Sequence, residues 1–182
     1  GTSNYILSAM TRDGASYGDA LQDAQTRGYA EADPTMDVGG IDAAQKLSIL
    51  MALGFGTQVP YGEIPTRGIS DITHLDVLYA RNLGFTIKPL AVATLTEDGI
   101  QAHVGPALVP GGSTLANVHG ANNAVRFTSD AVGPLLVEGQ GAGMLPTASA
   151  VVSDVIDAAR NLLHDSAGRV PVPPFTADEA PG

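Results

Sequence analysis

The sequence predicts an α+β domain, in which helices cover one face of a largely antiparallel sheet and the other face is available for dimerisation. Residues 3–83 carry apolar side chains at helical spacing, residues 85–137 change to runs of strand formers, and a long helix follows from about Pro146 to Leu163. At 182 residues and 44% hydrophobic content, the chain can bury one core. We assign residues 1–168 to this domain and the Pro-rich residues 169–182 to a linker or tail.

Capping signals mark three of the predicted helices. Ser3 can cap the first helix, and Ser16 with Asp19 forms a capping-box-like start for the second. Thr73 with Asp76 starts the fourth in the same way. A side-chain oxygen at these positions satisfies backbone N–H groups that the first turn leaves unpaired, so we expect the helices to begin there.

The third predicted helix, Ile41 to about Leu53, is apolar over most of its circumference. Asp42 and Lys46 lie one turn apart on one side, and apolar residues continue that stripe. Because such a helix is normally packed all round, we expect this pair to point into a cleft. An ordinary ion pair is the simpler interpretation. The functional one is a lysine that shares a proton with a substrate oxygen.

Four strands are predicted in the middle of the chain. Phe85–Leu95 and Ile100–Val109 are joined by a turn that contains glycine, and shorter strands follow at about Ala124–Thr128 and Pro134–Val137. We expect one antiparallel sheet of four or more strands.

Charge and composition exclude several partners. Nineteen acidic residues against nine Lys+Arg give a formal net charge of -10, which disfavours nucleic acid and anionic membrane surfaces. No apolar run approaches the roughly 20 residues of a membrane span. The absence of cysteine removes disulfides and thiolate ligands and is compatible with a cytoplasmic protein, which we expect.

The acidic loop before the third helix contains Glu31, Asp33 and Asp37. It has three interpretations: a solvated loop, a site for a hard cation, or a site for a cationic group such as a substrate ammonium. The spacing does not match an EF-hand loop. The four histidines are scattered without ligand spacing, so we interpret them as structural and predict no metal site.

A glycine-rich segment, Gly139–Gly143, lies between a predicted strand and the last helix. This layout lets backbone N–H groups face an anion at a helix N-terminus. It lacks the G-x-G-x-x-G spacing, and a tight turn that needs positive φ explains it equally well.

Three segments together resemble the homoserine dehydrogenase family. They are the opening GTSNYIL, the block GYAEADPTMDVGGIDAAQKLSIL and the closing GQGAGMLPTASAVVSDV, in the family's order and approximate spacing from about Gly1 to Leu163. The resemblance implies a pyridine-nucleotide oxidoreductase that interconverts L-aspartate 4-semialdehyde and L-homoserine with NAD(P)H, a step in threonine, methionine and isoleucine biosynthesis. It also implies a homodimer.

The resemblance also implies roles for individual residues. Glu31 and the backbone of Tyr29 would hold the substrate ammonium, Thr2 would receive the carboxylate, and Asp37 would line the pocket. Catalytic roles would fall to the residues that face the reacting oxygen, Asp42 and Lys46. The positions that would lie beside the cofactor are Gly141, Ala142, Gly143 and Thr147.

The chain departs from the family pattern in three respects. The family's N-terminal Rossmann domain, its second lysine near the reacting centre and its backbone carbonyls for a monovalent cation have no counterpart here. The proton donor is therefore either Lys46 or that upstream lysine. We expect the chain to be the isolated catalytic and dimerisation region, ending where a regulatory ACT domain would begin, and to be inactive without its nucleotide-binding domain.

Two other functions remain open at this point. A metal-dependent hydrolase could use the carboxylates of Glu31, Asp33, Asp37 and Asp42. A non-catalytic dimerisation or interaction module could have descended from such an enzyme, although the retained Glu31, Asp42 and Lys46 disfavour it.

Overall fold

The computed structural model describes residues 1–141, 143–164 and 166, so the predicted tail lies outside the described residues. In the described part of the chain, five α-helices precede four strands and a sixth helix follows, and this segregation is typical of the α+β class. The helices are α1 (Thr2–Arg12), α2 (Tyr17–Thr26), α3 (Thr35–Val38), α4 (Ile41–Phe55), α5 (His74–Asn82) and α6 (Met144–Leu163). The strands are β1 (Phe85–Thr96), β2 (Gly99–Pro110), β3 (Asn122–Ser129) and β4 (Gly133–Gln140). Short 3-10 turns lie at Tyr61–Glu63 and Leu115–Asn117.

Two of the predicted helix starts are confirmed. The backbone N–H of Asp19 donates to Ser16 Oγ at 3.2 Å, and Thr73 forms a complete capping box with Asp76. The start of α1 is different, because the helix begins at Thr2 and has Gly1 as its N-cap without a side-chain cap. Ser3 instead donates its hydroxyl to the carbonyl of Asp37 at 2.9 Å, which ties α1 to the acidic loop.

The four predicted strands form two separate antiparallel hairpins within the described chain, so the single sheet of four or more strands was wrong. The first hairpin pairs β1 with β2, and the second pairs β3 with β4. Part of the outer edge of β2 is already occupied: the N–H of Arg67 donates to the Val104 carbonyl, and the N–H of Val104 donates to the Pro65 carbonyl, both at 2.9 Å. That segment takes the place where a third strand could add to β2.

Two apolar clusters hold the helices on the first hairpin. Ile6, Leu7 and Met10 of α1 lie at the centre of the larger cluster, with side chains from α2, α5 and β1 around them. The smaller cluster joins α4 to β2 through Leu47, Met51 and Val104. Val104 and Val109 are both 6% exposed, so they belong to the core and not to a free face of the sheet.

The second hairpin and α6 expose most of their apolar residues. The hairpin pairs Val125 with Val137 and Phe127 with Leu135, which places all four side chains on one face, and they are 37–57% exposed. α6 has no buried residue, so it does not close the fold as we expected. Within the described part of the chain, no helix is long and apolar enough to cross a bilayer.

Candidate functional site

The N-terminus of α1 brings together several of the predicted substrate residues. The hydroxyl of Thr2 lies 2.6 Å from the carbonyl oxygen of Tyr29 and 2.9 Å from Oδ2 of Asp37. A hydroxyl has one hydrogen to donate, so it satisfies one of these acceptors at a time. The carbonyl and the carboxylate therefore keep acceptor capacity for a cationic group at the same point.

Helix α3 brings Asp37 to this point. Asp33 caps its first turn, because the backbone N–H of Thr35 and the Thr35 hydroxyl both donate to Asp33 Oδ1, at 3.1 and 2.6 Å. Both bonds lower the pKa of the Asp33 carboxyl, and the bond from the Thr35 hydroxyl has the larger effect. The carbonyl of Asp37 accepts from the Ser3 hydroxyl, so Asp37 is fixed through both its main chain and its side chain.

Asp42 and Lys46 form the predicted pair on α4, with Lys46 Nζ 2.6 Å from Asp42 Oδ2. Their side chains are 39% and 66% exposed, so the expectation that the pair lies in a cleft is wrong for this chain.

Tyr29 and Glu31 lie in the loop after α2. The ring of Tyr29 is tilted against that of Tyr5, with centroids 4.9 Å apart. The Tyr5 hydroxyl donates to Asp23, which raises the pKa of Tyr5 and lowers that of Asp23. Glu31 is exposed, and its carbonyl oxygen accepts from Gln25 Nε2 at 3.0 Å. The loop is thus held by its backbone, and the Glu31 carboxylate faces solvent.

A cavity of about 330 Å³ connects this loop with the glycine-rich segment. Its volume is at the lower end of the range of ligand pockets, about 300–1,000 Å³. The wall combines loop residues with the start of α6: Tyr29, Ala121, Gln140, Gly143, Met144, Leu145 and Pro146. Among the described residues, Tyr29 of the predicted substrate set and Gly143 of the predicted cofactor set line this cavity, whereas Thr2, Asp37 and Gly141 do not.

The glycine-rich segment lies against Asn123. A Cβ on Gly141 would come within 2.6 Å of Asn123 Nδ2, and Asn123 Oδ1 accepts from the Gly1 amino group at 2.7 Å. Gly143 has φ +119°, a conformation that side chains rarely adopt. Thr147 is exposed, and its backbone N–H donates to the Gly143 carbonyl at 3.1 Å. Ala142 lies outside the described residues.

The carboxylates proposed for a metal-dependent hydrolase are not arranged as a metal site. Asp33 binds Thr35, Asp37 contacts Thr2, and Asp42 binds Lys46, so three of the four acids have separate partners, and Glu31 is exposed. Among the described residues, no group of three or more His, Asp or Glu side chains could hold a metal ion.

The comparisons with known proteins identify the family. The family model for homoserine dehydrogenase matches residues 1–156. The chain belongs to the homoserine dehydrogenase family. The homoserine dehydrogenase of Pseudomonas aeruginosa is 49% identical over 178 residues, which are 98% of this chain and 41% of that protein. The chain thus spans about two fifths of the length of such relatives.

Solved homoserine dehydrogenases have the same fold over this region. The enzyme from Thiobacillus denitrificans is 52% identical, with a TM-score of 0.88 over 94% of this chain and 40% of that one. A mutant of a hyperthermophilic archaeal homoserine dehydrogenase, determined in complex with NADPH, is 28% identical with a TM-score of 0.68. The resemblance seen in the three sequence segments is confirmed.

Sequence reasoning missed three residues that organise this homoserine dehydrogenase region. Asn4, Lys88 and Asn123 are buried or half-buried. Asn4 donates to the Asn122 carbonyl of β3, Lys88 on β1 donates to Asn4, and Asn123 accepts from Gly1, so these residues connect the start of α1 to both hairpins. One signal was available for Lys88, which stands alone as a charge in the apolar strand segment TIKPLAV. No such sequence signal exists for Asn4 or Asn123, because the residues that they contact are far away in the sequence.

Proposed function

We propose that this chain is the substrate-binding and catalytic region of an NAD(P)-dependent homoserine dehydrogenase. The whole enzyme would interconvert L-aspartate 4-semialdehyde and L-homoserine by hydride transfer. The observation that carries the proposal is the meeting of the Thr2 hydroxyl, the Tyr29 carbonyl and the Asp37 carboxylate at the start of α1, in a chain that belongs to this family.

The substrate is an amino acid, and the site offers complementary groups for both of its charges. The ammonium would bind to the Tyr29 carbonyl and the Glu31 carboxylate, with Asp37 beside them. The carboxylate would bind to the Thr2 hydroxyl and the N-terminus of α1, whose first turn has neither a side-chain cap nor an acidic residue. A zwitterion then contacts acceptors at one end and donors at the other.

Lys46 would face the oxygen that changes from carbonyl to hydroxyl. Asp42 holds its ammonium at 2.6 Å, which restricts the lysine to one region beside α1. A positive donor there stabilises the negative charge that develops on the oxygen during reduction, and it can supply the proton. A lysine outside this chain would have the same chemistry, so Lys46 acts either as the proton donor or as its electrostatic partner.

The glycine-rich segment could contact one side of a bound nicotinamide cofactor. Gly141 and Gly143 have no side chains, so a planar ring could approach the backbone beside the cavity, and Thr147 follows them on α6. NAD(P)H, when bound, supplies the hydride. This cavity is too small for a whole dinucleotide, which also requires a nucleotide-binding domain. We assign no residue of this chain to the monovalent cation that the family resemblance implies.

We further propose that the enzyme is a homodimer. The apolar face of the second hairpin, formed by Val125, Phe127, Leu135 and Val137, is exposed in the single chain. Contiguous apolar surface of this kind is usually covered by another protein surface, and symmetric pairing is the commonest arrangement in soluble oligomers.

The proposal is tested by assaying the complete protein that carries this chain. Purified protein should oxidise homoserine when NAD⁺ or NADP⁺ is supplied and should reduce aspartate 4-semialdehyde in the reverse direction. The 182-residue chain alone serves as the comparison and should give no turnover. A complete protein that is folded and inactive in both directions would contradict the proposed function.

A further inference from the structure

Lys88 is a buried lysine that the proposed chemistry does not use. It lies on β1, is 4% exposed, and donates from Nζ to Asn4 Oδ1 at 3.0 Å and to the Val118 carbonyl. In the described part of the chain, no carboxylate lies within salt-bridge distance of it. A buried ammonium without a carboxylate partner is costly, so its retention calls for a specific explanation.

Lys88 and the carbonyls of the 118–122 loop together determine which way the Asn4 amide points. An ammonium only donates, so the oxygen of the amide must face Lys88 and the nitrogen must face away. Asn4 Nδ2 then points at three carbonyl oxygens, those of Val118, Gly120 and Asn122, at 3.1, 3.0 and 3.2 Å. If the amide were reversed, its oxygen would face these carbonyls and lose every one of the contacts.

The loop held in this way contributes one residue, Ala121, to the wall of the cavity. We call Lys88, Asn4 and the three carbonyls the Lys88–Asn4 clasp. Asn4 is two residues after Thr2 on α1, and the loop that it holds contains Ala121, which lines the cavity. The next residue after the loop, Asn123, contacts both Gly1 and the glycine-rich segment. The clasp therefore connects the substrate side of the cavity to its cofactor side.

We propose that Lys88 is a positioning residue, which acts through Asn4 to fix the 118–122 loop and so sets the spacing between the substrate and cofactor sides of the cavity. This inference rests on the proposed function. Lys88 contacts neither reactant. Because a displacement of about 1 Å between reacting groups can lower a rate by about 10²-fold, a loosened clasp should reduce kcat more than substrate binding.

The test uses the complete protein and measures kcat, both KM values and the melting temperature. Lys88→Met keeps the side-chain length but removes the donors, and it should lower kcat by at least about tenfold while each KM stays within about threefold. Val77→Ala is the matched control: it truncates a buried side chain of α5 away from the clasp. It should lower the melting temperature and leave kcat within about twofold of the wild type.

Asn4→Asp separates positioning from simple burial of a charge. The aspartate would give Lys88 a carboxylate partner but would turn an acceptor towards the three loop carbonyls. Positioning predicts a loss of kcat like that of Lys88→Met, and a loss in the double variant no larger than in either single variant. This variant also carries the test if Lys88→Met fails to fold.

Two results would overturn the inference. One is a kcat within twofold of the wild type in folded Lys88→Met or folded Asn4→Asp, since Lys88 would then be structural only. The other is a double variant in which the fold-decrease in kcat equals the product of the fold-decreases in the two single variants. An inactive wild-type protein would instead overturn the proposed function, and the inference with it.

Discussion

Lys46 and Asp42 are joined by a bond of 2.6 Å, although both side chains are open to solvent in this chain. Exposed pairs of this kind contribute little to stability, typically about 0–1 kcal/mol. We propose that the pair has a role in binding or chemistry in the complete enzyme.

Changing either member of this pair should therefore reduce activity far more than stability. In the complete enzyme, Lys46→Ala or Asp42→Ala should lower kcat/KM by about 10²-fold or more, the usual scale for a positioned proton-transfer group. Arg67→Ala provides the control, because Arg67 and Asp71 form another exposed pair four residues apart. If both variants turn over at nearly the wild-type rate, Lys46 and Asp42 form only an ordinary surface ion pair.

Glu31→Gln should weaken substrate binding selectively. The neutral amide cannot pair with an ammonium, so we expect KM for aspartate 4-semialdehyde to rise by about 10- to 100-fold, the scale of one lost charge-assisted bond. KM for the nucleotide should remain nearly unchanged. Asp33→Asn is the matched control, since Asp33 lies in the same acidic loop but binds Thr35. An equal loss of nucleotide affinity would count against the assignment.

Gly141→Ala should affect the cofactor side. The added Cβ would come within 2.6 Å of Asn123 Nδ2, so Asn123 must move. We expect KM for NADPH to rise by about tenfold, which corresponds to roughly 1.4 kcal/mol of binding free energy. Gly139→Ala is the control, because a Cβ there has nothing within 4 Å. Equal kinetics in the two alanine variants would remove Gly141 from the cofactor site.

The exposed apolar face of the second hairpin should mediate self-association. Val137→Asp places a charge in the middle of that face and should shift the complete protein from dimer to monomer in sedimentation equilibrium at micromolar concentration. Thr128→Asp lies on the opposite face of the same hairpin and should leave the dimer intact. A wild-type protein with the mass of one subunit at every concentration would refute the homodimer.

Lys88 should titrate below the ordinary lysine value of 10.5, because burial lowers its pKa, with a smaller opposing effect from Glu138. The folded state then loses this proton before the unfolded state does, so raising the pH from the folded pKa towards 10.5 favours folding through this group. NMR of ¹³C-labelled lysine can measure the pKa, with Lys88→Met identifying the signal. A measured Lys88 pKa at or above 10.5 would contradict the conclusion that burial lowers it.

Local signals in the sequence predicted the elements of the fold. The capping residues Ser16 and Thr73 act on N–H groups two or three positions away, so their helices begin where expected. The turn of the first hairpin is equally local, and the strands it joins were predicted to within one residue at each end. Nothing local indicates whether two hairpins join, which is why one sheet was expected and two were found.

The site was predicted only in part, for the same physical reason. Family segments named Thr2, Tyr29 and Asp37, and in the structure the Thr2 hydroxyl lies within hydrogen-bonding distance of the Tyr29 carbonyl and of the Asp37 carboxylate. Periodicity placed Asp42 and Lys46 on one face of α4 but could not determine what covers that face. The partners of Lys88 come from α1 and from the loop before β3, and no spacing rule along the chain connects them.

The Lys88–Asn4 clasp has a consequence for the order in which the protein is made. Asn4 bonds to Val118, 114 residues later, and to Asn122, 118 residues later. A ribosome releases the N-terminal part first, so α1 emerges long before the carbonyls that anchor it exist. α1 can therefore be fixed to this loop only after Asn122 has been synthesised, however early the helix itself forms.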